Sequence, residues 1–226
     1  MKILKTIFFL VFLNNLLAQD VTTNSKNFRT DTFTGKVSAT GTGFWVPAKN
    51  LNTDISGSVY LFDNWIGNYN IFDKSNNKFL VTNLNYNLST NTLESKVSND
   101  SVFQFDLSNI KKVAFGNKKY EVVDGKLVES LFNSEKLNIY KEFSVKIVEA
   151  SLNPMTQENI TDRKYVKKSK FLVNKNGLVQ DFKVNKKNVL SLFGKNQEVV
   201  KKYVKDNNLS YSDENDLFKI LKKFNS

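Results

Sequence analysis

Phe115-Gly116-Asn117-Lys118-Lys119-Tyr120-Glu121-Val122-Val123-Asp124-Gly125-Lys126 decides the fold class of this chain. Gly116-Asn117 and Asp124-Gly125 are tight-turn signals, because Gly, Asn and Asp tolerate the positive φ that hairpin turns require. The segment between them is too short for a packed helix, and Tyr120 and Val122 recur at the two-residue period of a strand. Two such turns in quick succession make neighbouring strands antiparallel.

The same grammar extends in both directions. Asn176-Gly177 joins residues 164–174 to 178–184, while Asn76-Asn77 and Asn99-Asp100 are looser versions of the turn. Phe103 and Phe105 share a face. Phe143, Val145 and Ile147 alternate with their neighbours, as do Leu178, Gln180, Phe182 and Val184. Residues 57–184 therefore read as an antiparallel meander of roughly ten strands, curled or split over one core because open twisted sheets of that size seldom stay flat. Ahead of it, residues 19–56 form a polar leader with one or two edge strands in 28–46, ended by Pro47. Beyond it, in 185–226, the period changes. Val189, Leu190, Leu192 and Phe193 make one helical stripe, Val199, Val200, Tyr203 and Val204 a second, and Leu217, Phe218, Ile220, Leu221 and Phe224 a third. Gly194 is a stop for the first, and Ser212 is the expected cap of the third. The expected fold class is α+β, mainly β: an antiparallel body with three short carboxyl-terminal helices packed on it.

Asn188-Val-Leu-Ser-Leu-Phe-Gly-Lys195, Val200-Lys-Lys-Tyr-Val-Lys-Asp-Asn-Asn-Leu209 and Asp216-Leu-Phe-Lys-Ile-Leu-Lys-Lys-Phe224 resemble the tail of an uncharacterised family of exported, β-rich proteins of Bacteroidota. Tyr60-Leu-Phe-Asp-Asn-Trp65 and Leu84-Asn-Tyr-Asn-Leu88 resemble that family's opening strands. The resemblance covers 57–226 and implies export and a β body with a helical ending. The family has no assigned activity, so the resemblance transfers no site.

The amino terminus supplies the other expectation. Lys2 and Lys5 precede the apolar run Ile7 to Leu13, and Ala18 offers a small residue at the end of the stretch. That order reads as a secretory signal peptide over 1–18, too short to span a bilayer, which takes roughly 20 apolar residues. The expected location is the periplasm or the cell surface, with no transmembrane segment. The chain has no Cys and no His. A disulfide framework, a cysteine-attached lipid, Ser-His-Asp or Cys-His nucleophiles, and zinc sites built on His or Cys are all excluded. No cofactor is expected.

Net charge is +11, and its distribution is uneven: residues 163–226 hold 16 basic and 6 acidic groups, a net of +10. Lys168 and Lys170 on a strand, with Lys201, Lys202 and Lys205 on a helix flank, are the candidate contacts for lipopolysaccharide phosphate or an anionic membrane surface. With 31 Lys and only 2 Arg, the excess also reads as solvated surface, and nucleic acid is not an expected partner. Trp45, Tyr60, Phe62, Trp65, Tyr69 and Phe72 read mainly as core, with Trp65 the candidate to stack on a sugar ring. Asp63, Asp73, Glu94, Asp100 and Asp106 are the acids from which a glycosidase pair would have to come, although most lie where Asp serves turns. The functional expectation is a non-catalytic binding or scaffolding protein of the envelope, its partner an envelope protein or glycan. The alternatives are a carboxylate-dependent glycan hydrolase and lysine-mediated attachment to an anionic surface.

Overall fold

The computed structural model describes residues 43–47, 54–96, 101–135, 137–156 and 160–224. The expected signal peptide, most of the polar leader, and the Asn99-Asp100 turn lie outside them, as does the side chain of Trp45. The described residues hold twelve strands and three helices. The strands are β1 (Gly43–Pro47), β2 (Asn68–Asp73), β3 (Lys78–Thr82), β4 (Leu84–Asn87), β5 (Thr92–Lys96), β6 (Ser101–Phe105), β7 (Ile110–Phe115), β8 (Lys118–Val123), β9 (Lys126–Asn133), β10 (Leu137–Val148), β11 (Lys164–Lys175) and β12 (Leu178–Phe182). The helices are α1 (Lys186–Ser191), α2 (Gln197–Asp206) and α3 (Glu214–Phe224). The mainly β, α+β expectation holds, with every strand pairing antiparallel.

The meander is interrupted. An eight-stranded sheet runs β12–β11–β10–β9–β8–β7–β2–β3, and β4, β5 and β6 peel away to form a second sheet in the order β1–β6–β5–β4. The chain then returns at β7 to pair with β2. Turn chemistry shapes the long run that follows. Asp124 and Gly125 have φ of 49° and 75°, and Asn176 and Gly177 have φ of 56° and 84°, the paired left-handed residues of a tight hairpin.

One face of the large sheet is covered by two different layers. The small sheet packs Leu84, Tyr86, Leu93, Phe103 and Phe105 against Tyr69, Ile71, Val113, Tyr120 and Leu127. The helices pack Val189, Val200, Val204, Leu217, Ile220 and Leu221 against Leu137, Ile139, Val173 and Phe182. Strand β10 spans both: Ile139 lies under the helices, and Phe143 and Val145, on the same face, lie against the small-sheet cluster. Lys141 sits at this seam. Its Nζ reaches Glu214 Oε2 of α3 at 2.7 Å and stands 5.6 Å from the centre of the Phe171 ring. On the opposite face Val128, Tyr140 and Leu172 form a small buried cluster. Beside it runs a ladder of ion pairs across β9 to β12, from Lys126 to Glu142 (2.7 Å), Glu142 to Lys170 (3.3 Å) and Lys170 to Asp181 (2.7 Å).

Helix α3 begins one residue later than its expected cap. The Asp213 side chain accepts from the backbone N–H of Asp216 at 3.0 Å, while the Ser212 hydroxyl lies against that of Ser210. A carboxylate at that end also meets the positive helix terminus, which a neutral hydroxyl does less well.

Candidate functional site

The segment 58–62 runs along the free edge of β4. Leu61 N–H donates to the Tyr86 carbonyl at 2.9 Å and Leu88 N–H to the Val59 carbonyl at 2.9 Å. At Phe62 the backbone ladder gives way to a side chain: Asn85 Oδ1 accepts from Phe62 N–H and Asn85 Nδ2 donates to the Phe62 carbonyl, each at 3.0 Å. Leu61 and Phe62 both turn toward the core, whereas Tyr60 pairs with Asn87 on the outer face of the small sheet. This bend breaks the strand alternation that Tyr60 to Trp65 would otherwise follow.

Register places Asn85, Asn87, Glu94 and Gln104 on that outer face, alternate to the core residues Leu93, Phe103 and Phe105. Glu94 is only 2% exposed. Its Oε2 accepts from the Tyr60 hydroxyl at 2.9 Å. Its Oε1 accepts from Thr92 Oγ1 at 2.6 Å, Gln104 Nε2 at 3.1 Å and Asn87 Nδ2 at 3.4 Å. All four donors are neutral, and no ion pair reaches this carboxylate among the described residues. Burying a carboxylate without a cation is costly unless hydrogen bonds replace its hydration, and here they do. A carboxylate offers about four lone-pair directions, two on each oxygen. Oε1 is crowded and Oε2 keeps one direction to spare. Burial, followed by the negative charge of Glu94, holds the Tyr60 hydroxyl well above the usual phenol range, so it stays a proton donor.

Glu94 lies in a cleft of about 610 Å³ whose lining includes Val59, Tyr60, Thr92, Gln104 and Tyr165. Tyr165 reaches it from β11, because Ser56 pairs with the start of that strand: Tyr165 N–H donates to the Ser56 carbonyl at 2.8 Å. The Trp65 ring packs edge-on against Tyr60, with centroids 4.7 Å apart. Trp65 is half-buried, so it buttresses Tyr60 and retains part of its surface for solvent. Of the other expected aromatics, Phe62 and Tyr69 are in the core, and Phe72 lies under the Lys112 ammonium, 4.3 Å from its ring centre.

The remaining acids do not join Glu94 in its cleft. Asp63 is 97% exposed and pairs with Lys167. Asp73 holds the β2–β3 turn through Asn77, and Asp106 caps a 3₁₀ turn through Ser108 and Asn109. Asp100 lies outside the described residues. The facing pair of acids that glycoside hydrolysis requires is not formed in this cleft by the described residues, nor do they contain a cluster of three metal-ligating acids.

The lysines fall into two separate groups. Lys168 and Lys170 alternate with Phe171 and Val173, which pack under the helices. They therefore face away from α2 and from Lys201, Lys202 and Lys205, on the other side of the sheet. Lys170 is held charged by Asp181 first and then by Glu142. Lys202 pairs with Asp206, and Lys201 with Glu198 at 2.6 Å. Lys201 and Lys205 line a shallow cleft of about 460 Å³ with Lys186 and Tyr211. No helix among the described residues is long and apolar enough to cross a membrane.

Glu94 belonged to the list of acids legible in the sequence, but its partners did not. Nothing in the spacing of Tyr60, Asn87, Thr92 and Gln104 announces that they converge. The available signal was Leu84-Asn-Tyr-Asn-Leu88, where alternating apolar and amide residues mark a strand with a polar outer face. In comparisons with known proteins, no family model, no curated protein and no solved structure matches this chain.

Proposed function

We propose that this chain is an exported, non-catalytic binding protein of the cell envelope, and that its cleft over the small sheet takes a neutral, hydroxyl-rich glycan. One observation carries the reading: a buried carboxylate solvated wholly by neutral donors, at a cleft flanked by tyrosine rings. Sugar recognition calls for that combination, an aromatic face for the C–H side of the ring and fixed acceptors for its hydroxyls. A single acid whose lone pairs are mostly engaged suits holding a hydroxyl better than transferring its proton. The apolar leader over 1–18 and the absence of His and Cys support export and binding over catalysis.

Tyr165 gives the cleanest test. Its hydroxyl makes no hydrogen bond to the described residues, so Tyr165→Phe should leave the urea midpoint unchanged and weaken glycan binding about tenfold, the value of one lost hydrogen bond. Calorimetric titration of the chain from Gln19 onward against soluble fragments of envelope glycan measures this. Glu94→Gln should abolish binding and also cost about 1–3 kcal/mol of stability, because its amide would present a donor to a shell of donors. Failure of every neutral glycan to bind sinks the proposal, as does glycan cleavage that disappears in Glu94→Gln. Recovery of the precursor, leader attached, in the cytosolic fraction would sink the export half.

A further inference from the structure

A second cleft, of about 570 Å³, opens beside the first. Its lining includes Lys74, Asn91, Phe105, Asp106, Leu107 and Val122, and it shares Thr92 and Gln104 with the Glu94 cleft. Both carboxylate oxygens of Asp106 are engaged in capping its own turn, accepting from Ser108 and Asn109, so this second acid is committed to structure. The two residues in common explain the relation between the clefts. Thr92 opens β5 and Gln104 lies near the close of β6, so both stand at the same end of the small sheet. Phe105, Leu107 and Val122 belong to or pack against the core between the two sheets. The Glu94 cleft lies over the outer face, and the second cleft enters the mouth of the sandwich. They meet around the ends of β5 and β6.

We infer that the two clefts form one continuous groove that binds a linear, multi-unit glycan chain, with separate subsites on either side of Thr92 and Gln104. The inference rests on the glycan reading of the Glu94 cleft and adds to it the form of the ligand. Three features of the clefts carry it. Each cleft alone has the volume of a small-molecule site, roughly 300–1,000 Å³, so the pair holds more than one sugar ring needs. The junction is polar and oriented: Gln104 Nε2 and Thr92 Oγ1 both donate to Glu94, and the Thr90 hydroxyl lies 2.7 Å from that of Thr92, extending the hydrogen-bonded row along the groove. Gln104 Oε1 has no partner among the described residues, which leaves an acceptor where a glycosidic link would cross. Beyond the junction the lining is again mixed, with Phe105, Leu107 and Val122 apolar and Asn91, Lys74 and Asp106 polar. A chain of repeating units meets the same kind of surface twice.

A length series tests this. The probe is the set of N-acetylglucosamine oligomers from one to six units, with glucose oligomers as a second neutral series, titrated into the chain from Gln19 onward. Affinity should rise at least tenfold between two and four units and then level off. Lys74 is exposed and lines only the second cleft, so Lys74→Trp should erase the gain from added length while the disaccharide still binds and the melting temperature stays unchanged. Affinity that is flat with length while short oligomers bind overturns the continuous groove and leaves the binding reading standing. A length gain that survives Lys74→Trp also overturns it, because the chain would then leave the first cleft another way. Absence of binding at every length brings down both readings together.

Discussion

Tyr69 shows how a single residue couples the core to solution conditions. It is fully buried, its ring stacks on Phe115 at 4.3 Å between centroids, and its hydroxyl has no hydrogen-bond partner among the described residues. An unpaired buried hydroxyl costs stability, so Tyr69→Phe should stabilise the fold by about 1 kcal/mol, read as a higher urea midpoint. Burial also pushes the Tyr69 hydroxyl up from 10.0 to about 12. The folded chain therefore holds this proton at a pH where the unfolded chain has released it. Below pH 10 this titration costs the fold nothing, and stability falls as pH rises from 10 toward 12, because the unfolded chain ionises there and the folded chain does not. Urea midpoints at pH 8 and pH 11 should converge more closely in Tyr69→Phe than in the parent, though not fully, since burial also raises Tyr140 to about 12. A parent and variant with the same alkaline slope would show that Tyr69 does not contribute. Glu94 makes the complementary case at this scale: a residue type visible in the sequence, whose meaning depends on four donors brought from three other stretches of chain and one close neighbour.

Among the elements, the hairpins were the most legible. Asp124-Gly125 and Asn176-Gly177 turn where the dipeptides say they should, because left-handed backbone is a local preference that no distant contact has to supply. The three helical stripes also became helices, and Leu217, Ile220 and Leu221 are buried to 0% exposure along one face of α3. The start of α3 was less legible, since Ser212 and Asp213 are both good caps and only geometry chooses between them. Asp213→Ala should therefore cost about 1 kcal/mol, the usual value of a lost cap, and Ser212→Ala far less. Equal losses by chemical denaturation would contradict the hydrogen bond to Asp216. The edge segment 58–62 was the least legible element. Its bonds to Asn85 replace a backbone ladder by a side chain, and such substitution leaves no periodic trace.

On the scale of the whole molecule, the body over 57–184 and the helical segment over 185–226 are not independent. The helices bury Leu137, Ile139, Val173 and Phe182, and β10 carries core residues for both covering layers. Ending the chain at Val184 exposes that apolar surface at roughly 25 cal/mol per Å². The shortened chain should aggregate or lose its near-ultraviolet dichroism, while the full chain unfolds in one transition seen alike by tryptophan fluorescence and far-ultraviolet dichroism. A soluble 19–184 fragment with native spectra would show the two segments to be separate domains. The lysines make the same point about assembly. Lys168 and Lys170 stand on one side of the large sheet and Lys201, Lys202 and Lys205 on the other, so a charge excess that is continuous along the chain is divided in space.

Residue order alone determined the fold class, the antiparallel sense of the strands, the positions of the tight turns and the helical ending, since each follows from preferences that act within a few neighbouring residues. The tertiary structure decided where the meander breaks, which layer covers each half of the large sheet, and which polar residues gather around Glu94. Those outcomes depend on contacts between residues far apart in the chain. Here they turn on how a twisted eight-stranded sheet can be covered on one face by a smaller sheet and three short helices, and no local pattern encodes that.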